Sequence, residues 1–218
     1  IRLERMLAGM LTRKPVRLND TADNIREELF DVDLQGNDLN VWTYETARKM
    51  IRYGHVGVLV DAPNGGTAAR PYWVTYTPRD ILGYRTEMSE GRLEFTQLRL
   101  SEKVSEPDGL YGEKIVDQVR LLTPTTFEIH RKNSKGKYVK FDEGSMTLGK
   151  IPFSVAYANR LNLLESRPPM ADIAELNLKA YQIQSDLDNQ LHISAVPMLA
   201  FYGFPQNAEE VSAGPGEA

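Results

Sequence analysis

A chain of 218 residues with 41% hydrophobic and 26% charged side chains has room for one cored domain, or one domain plus an appendage. That composition excludes disorder, a collagen repeat and a coiled-coil rod. The absence of cysteine removes disulfide scaffolds, zinc ribbons, thiol nucleophiles and iron–sulfur clusters, and suits a reducing compartment. Twenty-six basic against 30 acidic residues give a net charge of −4, without the basic footprint of a dedicated nucleic-acid binder. No apolar run approaches the roughly 20 residues that span a bilayer, and no basic-then-apolar segment of this sequence resembles a signal peptide.

In chain order, Leu3, Leu7 and Met10 form one stripe of a helix from about Arg2 to Arg13 that Pro15 stops. The chain begins inside this pattern and ends abruptly on GPGEA, so it reads as part of a longer protein. A second, acidic helix is expected from a cap at Asp20 or Thr21, with Ile25, Leu29 and Val32 at helical spacing up to Gly36. A third spans Leu39–Tyr53 with Val41, Tyr44, Ala47 and Ile51 on its apolar face, closed by Gly54. Val56–Val60 reads as a buried strand ended by Pro63, Asn64, Gly65 and Gly66.

Tyr72, Val74 and Tyr76 alternate with Trp73 and Thr75 as in a half-exposed strand, and a helical turn is expected near Asp80–Leu82. Further strands are expected at about Leu93–Leu100, Ile115–Leu122, Thr126–Arg131, Tyr138–Asp142 and Phe153–Tyr157, an antiparallel meander. After Pro168 and Pro169 the pattern changes. Asp172 and Glu175 form a capping box for a long helix to about Ser194. Its stripe of Ile173, Leu176, Ala180, Ile183, Leu187 and Leu191 gives one continuously apolar face opposite a charged one. Packing on its own domain or against neighbouring subunits would cover that stripe. Pro197–Tyr202 reads as a short strand, and the rest of the tail as loop.

Four local patterns carry candidate chemistry. GSMTLGK places Gly144, Gly149 and Lys150 at phosphate-loop spacing, but Ile151 stands where magnesium needs a hydroxyl and a strand follows where a helix N-terminus is required. Asp31, Asp33, Gln35 and Gly36 occupy early calcium-loop positions, yet Trp42 fills the place of the closing carboxylate, so a polar connector is the reading. His55, His130 and His192 lie far apart, with no HExxH and no GxSxG. Arg131, Lys132, Lys135, Lys137 and Lys140 flank a hairpin turn at Asn133–Gly136; the first four are weak candidates for phosphate contact, set against an edge that discourages aggregation. On the long helix, Asp172, Glu175, Asp186 and Asp188 outnumber Lys179, a surface that repels a phosphate backbone. No catalytic, metal or cofactor site is assigned, so no enzyme activity is expected.

Five segments taken in order resemble one family. They are MLTRKP at Met10–Pro15; GHVGVLVDAP with Gly54, Gly57, Asp61 and Pro63; and RPYWVTYTPRDILGYR with Arg70, Pro71, Tyr72, Tyr76, Asp80, Ile81 and Leu82. Ile151–Phe153 follows, then the long-helix segment with Leu176, Asn177, Tyr181, Ser185, Asp186, Leu187, His192 and Pro197. Together they are similar to the portal proteins of tailed bacteriophages, in particular a portal-like group catalogued as a domain of unknown function.

The resemblance implies an α+β, portal-type fold: a wing domain over residues 1–162, a long stem helix over 168–194, and the start of a clip over 195–218. It implies a ring, usually of twelve subunits, at one capsid vertex, through which double-stranded DNA is packaged and ejected. The implied partners are further copies of the chain, the terminase large subunit, head-completion or adaptor proteins, and major capsid and scaffolding proteins. The implied location is the virion, with assembly in the host cytoplasm. The apolar stripe is then the subunit interface, and Asp172, Glu175, Lys179, Asp186 and Asp188 are candidates for facing the channel. The competing readings are a nucleic-acid-processing enzyme of a phage or mobile element, and a monomeric adaptor or scaffolding module.

Overall fold

The structure, a computed structural model, describes residues 2–18, 25–26, 29–62, 70–133 and 135–195. The chain divides into two compact units, Ile1–Pro169 and Met170–Ala218. The fold is α+β with antiparallel sheets and a C-terminal helix.

In the first unit α1 spans Arg2–Leu11 and α2 spans Leu39–Tyr53. The Asp38 side chain caps α2 by accepting from the Val41 backbone N–H at 2.8 Å. Gly54 closes it at φ +87°, its N–H bonded to the Met50 carbonyl at 2.7 Å. A side chain at Gly54 would be strained by that φ and would meet Ser166 and Pro168. Glu4 ties the helices together: its buried carboxylate accepts from Arg48 Nε at 3.2 Å and Arg52 Nη2 at 2.6 Å. Burial alone would raise the Glu4 pKa, but the hydrogen bond and charge of Arg52, with Arg48, hold it below the ordinary carboxylate value.

A three-stranded sheet follows, ordered β2-β1-β8, from β1 (His55–Asp61), β2 (Tyr72–Tyr76) and β8 (Phe153–Tyr157). Helix α2 packs against β1. Between β2 and β8 the chain inserts a five-stranded antiparallel meander: β3 (Ile81–Ser89), β4 (Arg92–Asp108), β5 (Gly112–Leu122), β6 (Thr126–Lys132) and β7 (Tyr138–Ser145). The core combines Leu59, Tyr76 and Phe153 of the small sheet with Leu98, Leu100 and Leu122 of the large one. Phe153 lies so close over Gly57 that a β-carbon there would collide with its ring. Short β9 (Arg160–Asn162) and β10 (Glu165–Ser166) pair with each other.

Two expectations are corrected. The acidic helix does not extend to Val32: residues 29–36 are turns and bends, with Leu34 and Gly36 at positive φ. The Asp31 and Asp33 carboxylates capture the Gly36 and Gln35 backbone N–H groups at 2.8 and 3.0 Å, an alternative to helical bonding. The expected cap at Asp20 or Thr21 lies outside the described residues, as do Pro63–Gly66 and the Pro197–Tyr202 strand. The helical turn expected at Asp80–Leu82 is a turn ending at Asp80, whose Oδ2 accepts from the Thr77 N–H at 2.9 Å. Ile81 then opens β3, whose register shifts between Ile81 and Gly83 and between Arg85 and Thr86, breaking the alternation by which a strand is recognised.

His55 is buried, with Nδ1 2.7 Å from Ser166 Oγ and its ring tilted against Tyr157. Desolvation lowers its pKa below the ordinary 6.5. The unfolded chain therefore takes up a proton before the folded one, and His55 makes stability fall as pH drops through 6.5 toward the lowered folded value. Urea unfolding at pH 7.5 and 5.5 should show this loss, and His55→Gln should flatten it; an unchanged slope in the variant would contradict the assignment.

Candidate functional site

The second unit contains α3, Ala171–Ala195, 25 residues with none buried among the described residues. Ile173, Leu176, Ile183, Leu187 and Leu191 are all exposed, Leu176 and Ile183 at 66% each. At about 100° per residue these and Ala180 share one stripe. The opposite side is not uniformly charged, as the sequence pattern suggested. Ala174, Leu178 and Tyr181 form a second apolar patch centred about 140° away around the helix, with Tyr181 72% exposed. Asp172, Glu175, Lys179 and Asp186 share one polar wedge. Asp188 does not join them; it stands on the narrow polar strip between the two apolar faces, where it accepts from Gln184 Nε2 at 2.9 Å.

The basic hairpin forms, with the Asn133 side chain accepting from the Lys135 and Lys137 N–H groups at 3.0 Å each. Lys132, Lys135 and Lys137 are exposed around its turn. Arg131 is not with them: it pairs with Glu106, donates to Gln118 Oε1 at 3.1 Å and stacks 3.6 Å over the Phe141 ring. Lys140 is held by Glu128 at 2.9 Å and Glu143 at 2.6 Å. The structure therefore leaves three lysines at the tip and spends Arg131 on the sheet.

The two near-miss motifs resolve as connectors. Both oxygens of Asp31 are used, by Gly36 N–H and by Arg70 at 2.7 Å, and both of Asp33, by Gln35 N–H and by Asn37 at 2.7 Å. Among the described residues no group of three or more metal-ligating side chains converges. In GSMTLGK, Gly144 belongs to β7 opposite Phe127, and the chain runs through a bend into buried Ile151 and then β8, so no helix N-terminus faces a phosphate.

The polar centre of the first unit was not read from the sequence. Arg120 of β5 reaches across to the small sheet, where Nη1 donates to Asp61 Oδ2 at 2.5 Å. Its Nε lies 2.9 Å from Glu102 Oε1 but out of line for a hydrogen bond, so that contact is coulombic. Glu102 also accepts from Tyr76 at 2.6 Å and Gln118 at 2.5 Å, and Asp61 accepts from Tyr72 at 3.1 Å. Burial opposes the Arg120 charge, but Glu102 and Asp61 reverse the effect and raise its pKa. Burial and the Asp61 charge push the Tyr72 phenol up to about 12, so it stays a hydrogen-bond donor. The only sequence signal is a lone arginine at a core-facing strand position; its partner Asp61 is 59 residues away.

Beside this cluster lies a cavity of about 440 Å³ walled by Leu59, Leu122, Phe127, Ile129, Met146 and Leu148, with Asp61, Tyr72 and Arg120 at its polar end. Arg120→Met should cost on the order of 2–3 kcal/mol, because it strands two mostly buried carboxylates. Chemical denaturation checks this, and a loss under 0.5 kcal/mol would mean, at the scale of an exposed pair, that solvent screens the cluster.

A family model described as a domain of unknown function (DUF4055) matches residues 169–218. This stretch contains α3 and the segment after it. No curated protein matches the chain. Among the described residues no helix is long and apolar enough to cross a membrane.

Proposed function

We propose that this chain is a subunit of a homo-oligomeric ring, the portal of a tailed bacteriophage, and that α3 lines up beside its counterparts in neighbouring copies. The observation that carries the reading is that α3 presents two apolar faces and, among the described residues, buries neither. A helix this exposed has little to stabilise it alone, since helical stability in proteins comes mostly from packing an apolar face. A head-to-tail ring requires two different complementary surfaces on each copy. The Ile173–Leu191 stripe and the Ala174, Leu178 and Tyr181 patch supply two. Their separation of about 140° is comparable with the roughly 150° between the two neighbours of any member of a twelve-membered ring.

In this reading the first unit is the portal-type wing, α3 is the first stem helix, and residues 196–218 begin the clip. Because the interior angle of such a ring opens toward its axis, the narrow strip between the two apolar faces, with Gln184 and Asp188, then faces the channel. A surface without cations there limits salt-dependent phosphate contacts that would retain sliding DNA. The wedge of Asp172, Glu175, Lys179 and Asp186 faces outward. The role is structural rather than catalytic. Its partners are the terminase large subunit, head-completion, capsid and scaffolding proteins, and its place is the portal vertex of the virion.

Ile183→Asp and Leu187→Asp each put a charge into the proposed interface. Both should shift the chain toward monomer at least tenfold in association constant while circular dichroism and unfolding of the first unit stay unchanged. Sedimentation velocity checks this, and assembly at wild-type levels would remove α3 from the interface.

A further inference from the structure

We propose that the tip of the β4–β5 hairpin of one copy docks into the 440 Å³ cavity of the next, a second contact that deepens the assembly reading and rests on it. The hairpin is long and regular: β4 and β5 pair without interruption from Leu98↔Leu122 to Asp108↔Gly112. Its turn carries two large side chains in the open, Leu110 at 86% and Tyr111 at 96% exposure. Such placement of an aromatic on a stiff projection matches the anchors that dominate interfaces when they enter a pocket.

The cavity fits that anchor chemically. Its walls are aliphatic and aromatic, and its size falls in the range of about 300–1,000 Å³ that takes compact ligands. At its polar end the lining carries one cation, Arg120, and one carboxylate, Asp61, paired with each other. With those charges already balanced, the end suits a neutral hydroxyl such as that of a tyrosine better than a charged group. Exposed Lys150, two positions after the wall residue Leu148, is opposite in sign to Asp108 and Glu113 beside the tip.

A tip cannot enter the cavity of its own chain. Tyr111 lies nine positions from the wall residue Arg120 along an unbroken strand, about 30 Å away. Tip and cavity are different surfaces, so the contact is head-to-tail and propagates around a ring. One Leu and one Tyr bury far less than the roughly 1,200 Å² of a stable interface, so the contact adds to α3 pairing rather than replacing it.

The chain's lack of cysteine allows a clean test that spares both Tyr111 and the apolar walls. Asp108→Cys and Thr147→Cys chains are prepared separately, mixed in equal amounts and mildly oxidised. The mixture should give the cross-linked pair at least tenfold faster than either variant alone, and adding Tyr111→Asp to the Asp108→Cys chain should abolish the excess. A mixed rate equal to the single-variant rates overturns the docking, as does cross-linking that survives Tyr111→Asp, which assigns the cavity to another occupant. Rings that form without the cross-link overturn only the tip contact; monomers without it overturn the α3 reading as well.

Discussion

The first unit depends on Arg120. Leu59 and Phe153 from one sheet and Leu98, Leu100 and Leu122 from the other make an apolar contact that holds the sheets together without fixing their relative register. Arg120 adds direction, because a guanidinium held between Asp61 and Glu102 tolerates one placement of the large sheet over the small one. The network runs on through Gln118 and Arg131 to Glu106 and Phe141. A row of polar side chains, hydrogen-bonded except at Arg120 Nε, therefore lies where the apolar core ends. This marks the boundary between the packed body and the long β4–β5 hairpin beyond it.

The second unit poses the opposite problem. Helix α3 has ample apolar surface and none of it buried among the described residues. Leu176, Tyr181, Ile183 and Ile193 at 59–72% exposure form more than the scattered apolar residues normal on a surface. A surface of that kind on two sides of one helix is more economical in an assembly than in a monomer. That is why the functional reading is placed on α3 and not on the basic hairpin, where Arg131 and Lys140 are already committed to carboxylates.

Much of the fold was legible. The α2 limits, its closure at Gly54, and the strands with clean alternation follow from local rules: left-handed closure and period-2 patterning, whereas the Asp38 cap was not read. What was not legible depended on distant partners or on broken periodicity. β3 was hidden by its two register shifts and by Gly83, over which the Arg99 guanidinium lies. The Asp31 and Asp33 turn resembled a helix because Leu29 and Val32 kept helical spacing while the side-chain carboxylates took the backbone donors. On α3 the main stripe was clear in the sequence, but Leu178 and Tyr181 went unread as a second face, and Asp188 was grouped with a wedge it does not share. The Arg120 cluster joins residues from β1, β2, β4 and β5, a convergence set by topology alone.

The central claim is that α3 is covered by other copies of the same chain. Mass photometry and negative-stain imaging of the wild-type chain across a hundredfold range of concentration test it most directly. The account predicts a concentration-dependent rise to a discrete oligomer seen as annular particles with an axial hole. A single monomeric species at every concentration would contradict it.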